Sequence, residues 1–156
     1  MVYDFVFVVL VYRNTQDLDD FFKSFTLDNS KVIIVNSFYD KISEQRFKDL
    51  ARMNNADFIS VANRGYGYGN NKGCEYAIAN YDFKYLVISN ADVIVKKMSV
   101  YMLRDNSIVA PNIINLTGKK QNPFMPYYFP LFDKIKYIAF RKNCKIIIFI
   151  LFFIAN

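Results

Sequence analysis

The residues best suited to chemistry fall in two short stretches of the sequence. The first is a glycine- and asparagine-rich run at 63–73, which contains four of the five glycines in the chain. The second is the apolar run 85–89, which is followed by Asn90-Ala91-Asp92. Glycines leave main-chain N–H groups open to an anion, and a carboxylate at a strand end suits a hard cation. The two stretches together predict a cradle for a nucleotide that faces a metal ligand.

Composition limits the chemistry further. The 156 residues correspond to one domain by length, and a hydrophobic content of 53% excludes a disordered chain. The net charge of +6 favours anionic partners. The sequence has no histidine, which excludes Ser-His-Asp and Cys-His nucleophile systems and His-ligated zinc. Two cysteines are too few for a disulfide framework and indicate a reducing compartment.

Alternating strand and helix patterns must position these two stretches. Continuous apolar runs predict four buried strands, at 2–11, 32–35, 58–61 and 85–89. Apolar residues at helical spacing predict three helices between them, one capped by Thr15, one capped by Ser43 and one at about 70–80. Short β-α-β connections predict an α/β fold with a mostly parallel sheet and helices on both faces. Ligands of such sheets bind at the carboxyl ends of the strands.

The pattern weakens after Asp92. A short helix is expected at 98–103, a further strand at 108–114 and a turn at 116–119. We expect a binding domain at 1–125 and a basic, apolar extension at 126–156. The apolar part of that extension, 146–155, is shorter than the roughly 20 residues of a membrane-spanning helix. It suits either a membrane interface, through 134–156, or packing in a core.

Four segments, in order and at matching spacing, resemble family 2 glycosyltransferases. The end of the first strand, with Tyr12 and Asn14, resembles the Val-Thr-Tyr-Asn run of that family. The glycine run resembles its Asn-x-Gly…Asn-x-Gly segment, and Asn90-Ala91-Asp92-Val93 resembles the Asn-Pro-Asp-Val form of its Asp-x-Asp motif. Residues 110–121 resemble the continuation seen in rhamnosyltransferase-like members, so the resemblance covers about residues 2–125.

The resemblance implies a glycosyltransferase A-type fold that binds a nucleotide-diphosphate sugar. It implies transfer of the sugar to a glycan or lipid-linked acceptor in bacterial surface polysaccharide synthesis. Asp92 would hold Mg²⁺ or Mn²⁺ against the diphosphate and so stabilise the departing group. The residues that it assigns to the nucleotide sugar are Tyr12, Asn14, Asn36, Asn63, Gly65, Asn71, Gly73 and Asn90.

The chain departs from the family pattern at two places. Asn36 stands where the family has an acidic residue for the base, and no acidic residue after Asp133 supplies a general base. The catalytic residue is therefore unassigned, and we expect a truncated, donor-binding half. The expected location is the cytoplasm, at the inner face of the plasma membrane. The alternative is a catalytically incomplete remnant, or a membrane-associated module that binds nucleotide sugars.

Other readings of the same residues are weaker. Gly65-Tyr66-Gly67 begins like a dinucleotide-binding fingerprint, but it follows the third strand instead of the first. No RNP-like aromatic strand is present, so nucleic acid is not an expected partner. An alternative role for Asp92, as a cap at the end of its strand without a ligand, stays open. Tyr66 and Tyr68 either stack on a base or sugar or cover the glycine run.

Overall fold

The computed structural model describes residues 2–95, 98–103, 108–109, 113–115 and 117–119. The chain divides into two compact units, residues 1–105 and 106–156. The first unit contains seven strands and helices followed by a short 3₁₀ turn: β1 (Val2–Val11), α1 (Thr15–Ser24), β2 (Ser30–Ser37), α2 (Lys41–Met53), β3 (Asp57–Val61), α3 (Tyr66–Asn80), β4 (Asp82–Asn90) and Val100–Met102.

The four strands form one parallel sheet in the order β3-β2-β1-β4. The predicted α/β alternation and the parallel sheet are confirmed, and β1 has the predicted bounds. The other strands are longer than the apolar runs that predicted them, because pairing with a neighbour extends each strand into polar residues. β4, for example, begins at Asp82, which lies opposite Val2 in the register.

Helices cover both faces of the sheet, as predicted. On one face, alternate residues of β1 and β2 pack against α1 and α2, and their core consists of Phe5, Phe7, Val9, Val11, Leu18, Phe21, Val32, Ile34, Phe47, Leu50 and Ala51. On the other face the opposite residues of β1 and β2 pack against α3, with a core of Val6, Val8, Ile33, Val35 and Ala77. β1 is buried on both faces, which explains why its sequence is apolar without alternation.

The helix α3 begins at Tyr66, four residues earlier than predicted. Most of the glycine run is therefore helical and not an open loop. Gly65 turns the chain into the helix with φ of 93°. Gly69 and Gly73 face the sheet, where a Cβ on Gly69 would lie 2.5 Å from Leu10 Cδ1 and one on Gly73 would lie 2.3 Å from Val8 Cγ1. These two glycines let the helix approach β1 closely.

The predicted caps of α1 and α2 are wrong by one and three residues. Asn14 caps α1, because its Oδ1 accepts a hydrogen bond from Gln16 N at 3.1 Å. Asp40 caps α2, because its Oδ1 accepts from the backbone N–H groups of Ile42 and Ser43 at 2.8 and 2.9 Å. Both cap residues have extended backbones, whereas the predicted cap residues already lie inside the helices.

At the amino edge of the sheet, a half-buried polar cluster ties β2, β3 and the end of α3 together. Lys31 Nζ lies 2.9 Å from Asp57 Oδ1, and the Tyr81 hydroxyl donates to Asp57 Oδ2. Lys31 also donates to the Asn55 carbonyl at 2.9 Å. The carboxylate of Asp57 is thus shared among donors from different elements, with Tyr76 of α3 as a third donor.

Little of the chain beyond β4 is described. The short helix expected at 98–103 is a single 3₁₀ turn, and the described residues of 108–114 form no strand of several residues. The predicted turn is present, since Gly118 N donates to the Asn115 carbonyl at 2.9 Å. No helix within the described ranges is long and apolar enough to span a membrane. The predictions for 120–156 lie outside the described residues.

Candidate functional site

The strand order places a crevice between the carboxyl ends of β1 and β4. From β1 the chain proceeds outward to β2 and β3 through α1 and α2 on one face of the sheet. It then returns through α3, on the opposite face, to β4 on the other side of β1. This reversal of direction is the topological switch point, at which open α/β sheets bind their ligands.

An open cleft of about 150 Å³ lies at this point. The residues that line it come from the end of β1, the start of α1 and the end of β4: Leu10, Val11, Tyr12, Asn14, Asp17, Asn90, Ala91 and Asp92. Four predicted site residues, Tyr12, Asn14, Asn90 and Asp92, therefore meet in one place. They belong to two segments that are separated by more than 70 residues in the sequence.

Asp17 lines the cleft, although its position in the sequence indicated no role in ligand binding. It lies in the first turn of α1, where the pattern predicted only a favourable interaction with the helix dipole. Asp17 and Asp92 give the cleft two carboxylates, and none of the described lining residues is lysine or arginine. The cleft is therefore acidic in a chain whose net charge is +6.

Tyr66 connects α3 to the cleft. Its hydroxyl donates to Asn90 Oδ1 at 2.9 Å, although the two residues are 24 positions apart. The Asn90 oxygen thus accepts one hydrogen bond from Tyr66, and its Nδ2 is available as a hydrogen-bond donor to a ligand. The hydroxyl of Tyr66 thus positions a cleft side chain, and the two roles considered for its exposed ring, stacking or covering, stay predictions.

The remaining predicted site residues lie outside the described lining of the cleft. Asn36, at the carboxyl end of β2, is fully buried; its Nδ2 donates to Ser60 Oγ at 3.3 Å and its Oδ1 has no partner among the described residues. Gly73 is packed against the core. Asn63 and Asn71 are exposed, one before and one within α3. Their contacts with a nucleotide sugar stay predictions.

An aromatic rim borders the cleft beside Tyr12. The guanidinium carbon of Arg13 lies 3.9 Å from the ring centre of Tyr39 and 5.2 Å from that of Tyr12. The two rings are 5.5 Å apart and both are nearly half exposed. Arg13 has a left-handed backbone with φ of 64°, an uncommon state for a non-glycine residue that tends to occur at functional sites. No sequence signal predicted this conformation.

The described residues do not form a complete metal cage. Among them there is no group of three or more acidic, histidine or cysteine side chains that would hold an ion. Mg²⁺, however, is commonly bound by one or two carboxylates together with phosphate oxygens of a substrate. Asp92, with Asp17 in the same cleft, fits that second mode and not the first.

Comparisons with known proteins identify no family. No protein-family model matches the chain, and no curated protein matches it. Four chains of solved structures match, among them the mannosyltransferase PcManGT from Pyrobaculum calidifontis in complex with GDP-mannose and Mn²⁺. That alignment has 16% identity and a TM-score of 0.46, and it covers 56% of this chain and 27% of that chain. A likeness at this level establishes neither the family nor the activity of this chain.

Proposed function

We propose that this chain binds a nucleotide-diphosphate sugar together with a divalent cation, as the donor-binding part of a glycosyltransferase. One observation carries the proposal: Tyr12, Asn90 and Asp92, from two motifs that resemble the family separately, line the same cleft at the switch point of the sheet. A chance match of short motifs gives no reason for them to meet at the edge where α/β sheets bind ligands.

The expected role of Asp92 is to bind Mg²⁺ or Mn²⁺ that already carries the diphosphate. The cleft has two carboxylates and no cationic side chain among its described lining residues, so an uncomplexed diphosphate would be repelled. A cation held by Asp92 would offset this repulsion, and the phosphate oxygens would supply the ligands that the protein lacks. When bound, the cation would also stabilise charge on the departing nucleotide diphosphate.

The finer parts of the proposal come from the sequence resemblance. They are membership of the rhamnosyltransferase-like branch of family 2, and a glycan or lipid-linked acceptor of surface polysaccharide synthesis at the cytoplasmic side of a membrane. The basic charge of the chain agrees with anionic partners of this kind. The binding domain of the proposal is 1–125.

Calorimetry with UDP-, GDP- and dTDP-sugars, with and without Mn²⁺, tests the binding step. We expect one class of nucleotide to bind only when Mn²⁺ is present, and Mn²⁺ alone to bind weakly or not at all. Asp92→Asn should remove the metal-dependent binding. Asp82→Asn is a matched control, because Asp82 lies at the opposite end of the same strand and is exposed. Absence of nucleotide binding, or equal binding by both variants and the wild type, would contradict the proposal.

Transfer is tested separately by release of nucleoside diphosphate in the presence of lipid-linked acceptors. Release that depends on both acceptor and Mn²⁺, and that Asp92→Asn abolishes, would support a transferase. Tight binding without release would instead identify a nucleotide-sugar-binding module.

A further inference from the structure

We propose that Asp17 is a specificity-determining residue of the cleft, whose carboxylate accepts hydrogen bonds from a vicinal diol of the ligand. The diol belongs either to the ribose of the nucleotide or to the donor sugar. The inference rests on the proposed function, because it names the part of the nucleotide sugar that this end of the cleft would recognise.

The first argument is that the carboxylate of Asp17 lines the cleft without a described partner. It lies in the first turn of α1, where the N-terminal end of the helix favours a negative charge. The other acids of that helix are engaged: Asp19 pairs with Lys23 at 2.7 Å, and Asp20 accepts from Gln16 at 2.9 Å. Asp17 forms no hydrogen bond or ion pair with any described residue, although it lines the cleft.

The second argument concerns what an acidic cleft can accept. An ionised carboxylate only accepts hydrogen bonds, and its two oxygens match two adjacent hydroxyl groups. Charge-assisted hydrogen bonds of this kind are stronger than neutral ones. A phosphate at Asp17 would meet a like charge, whereas a diol supplies two donors without changing the charge of the cleft.

The third argument is that the polar groups around the cleft differ in what they can bind. Asn90 offers its Nδ2 as a donor while its Oδ1 accepts from Tyr66, and Asp92 is assigned to the cation. Asp17 is the remaining described carboxylate of the lining. A nucleotide sugar presents phosphate oxygens and hydroxyl groups, so a donor, a cation ligand and a hydroxyl acceptor together match its polar parts.

The test measures the affinities of Asp17→Ala and Asp17→Asn for the nucleotide that binds the wild type, in the presence of Mn²⁺. Ribonucleoside diphosphate, its 2′-deoxy and 3′-deoxy forms and the full nucleotide sugar are compared. If the diol is that of ribose, Asp17→Ala should weaken ribonucleotide binding about tenfold and leave the deoxy forms nearly unchanged. If the diol is that of the sugar, the same loss should appear only with the nucleotide sugar.

Asp28→Ala is the control, because Asp28 is exposed and lies in the turn before β2, at the amino edge of the sheet. Thermal unfolding of each variant verifies that it is folded. Wild-type affinity of both Asp17 variants for every ligand would overturn the inference while leaving the proposed function intact. A loss that is equal for ribo and deoxy forms, with an altered Mn²⁺ requirement, would overturn it in favour of a second cation ligand. Absence of nucleotide binding by the wild type would overturn the proposed function, and this inference with it.

Discussion

Replacing Gly73 by alanine tests whether close packing of α3 against the sheet requires glycine at this position. Gly73 is buried, and an added Cβ would lie 2.3 Å from Val8 Cγ1 and 2.7 Å from Val35 Cγ2. Ordinary contact begins at about 3.4 Å, so the helix and the sheet would have to separate locally by about 1 Å. Both valines are fully buried and stiff at χ1, so neither side chain can rotate away.

The size of the effect follows from two opposing contributions. Overpacking of a core costs about 1–3 kcal/mol, and replacing glycine by alanine inside a helix gains about 1 kcal/mol. Because two immobile atoms are contacted at once, we expect a cost near the upper limit and a net loss of roughly 2 kcal/mol in the free energy of unfolding. In a chain of this size such a loss lowers Tm by roughly 4–8 °C.

Urea unfolding followed by circular dichroism measures this loss, and Gly67→Ala is the matched control. Gly67 lies in the same helix, but a Cβ there would meet no atom within 4 Å. The control should therefore be neutral or more stable than the wild type by up to about 1 kcal/mol. If Gly73→Ala unfolds at the same urea concentration as Gly67→Ala, the close approach of α3 to β1 is refuted.

Two further predictions concern single hydroxyl groups. Tyr66→Phe removes the donor that holds Asn90, so we expect nucleotide affinity to fall about tenfold in calorimetry with unchanged thermal stability, whereas Tyr68→Phe should bind like the wild type. Burial raises the pKa of Asp57, but hydrogen bonds from Tyr81 and a lysine outweigh it and leave the pKa below its ordinary value of 3.8. The contribution of ionised Asp57 to the free energy of unfolding is therefore complete above pH 3.8 and is lost as the pH falls through the lower folded-state pKa. Tyr81→Phe should make the free energy of unfolding less dependent on pH in this range, as measured by urea unfolding between pH 2 and 6. Burial, together with the hydrogen bond to Asp57, raises the pKa of Tyr81 above 10.0. The contribution of the neutral Tyr81 hydroxyl to the free energy of unfolding is therefore complete below pH 10 and is lost as the pH rises further.

Much of the fold follows from hydrophobic periodicity, whereas the start of α3 does not. Apolar runs located all four strands. The expected burial is found for the central strands β1 and β2, whereas β3 and β4 lie at the edges of the sheet and contain no fully buried residue. The glycines of α3 lower the intrinsic helix propensity and so predicted a loop. The helix forms nevertheless, because small residues at 69 and 73 allow contacts with β1 that the local sequence does not contain.

The candidate site was predictable in part for a related reason. Tyr12 and Asp92 follow apolar runs that predicted strands, so their presence at the carboxyl edge could be predicted from the sequence. Whether they lie next to each other depends on β4 pairing with β1 and not with β3, and this choice is made by tertiary packing. Asp17 was missed as a cleft residue because an acid in the first turn of a helix is so common that its position carries no ligand signal.

The place of β1 in the sheet has a consequence for biosynthesis. It is made before β4, its partner on one side, and Phe5 must wait for Tyr85, 80 residues later. At roughly 5–20 residues per second, a ribosome needs about 4–16 s to supply that partner. Throughout this interval the most apolar of the four described strands has at least one unpaired edge, so a nascent chain stalled before residue 82 should be a preferred client of chaperones that bind extended hydrophobic segments.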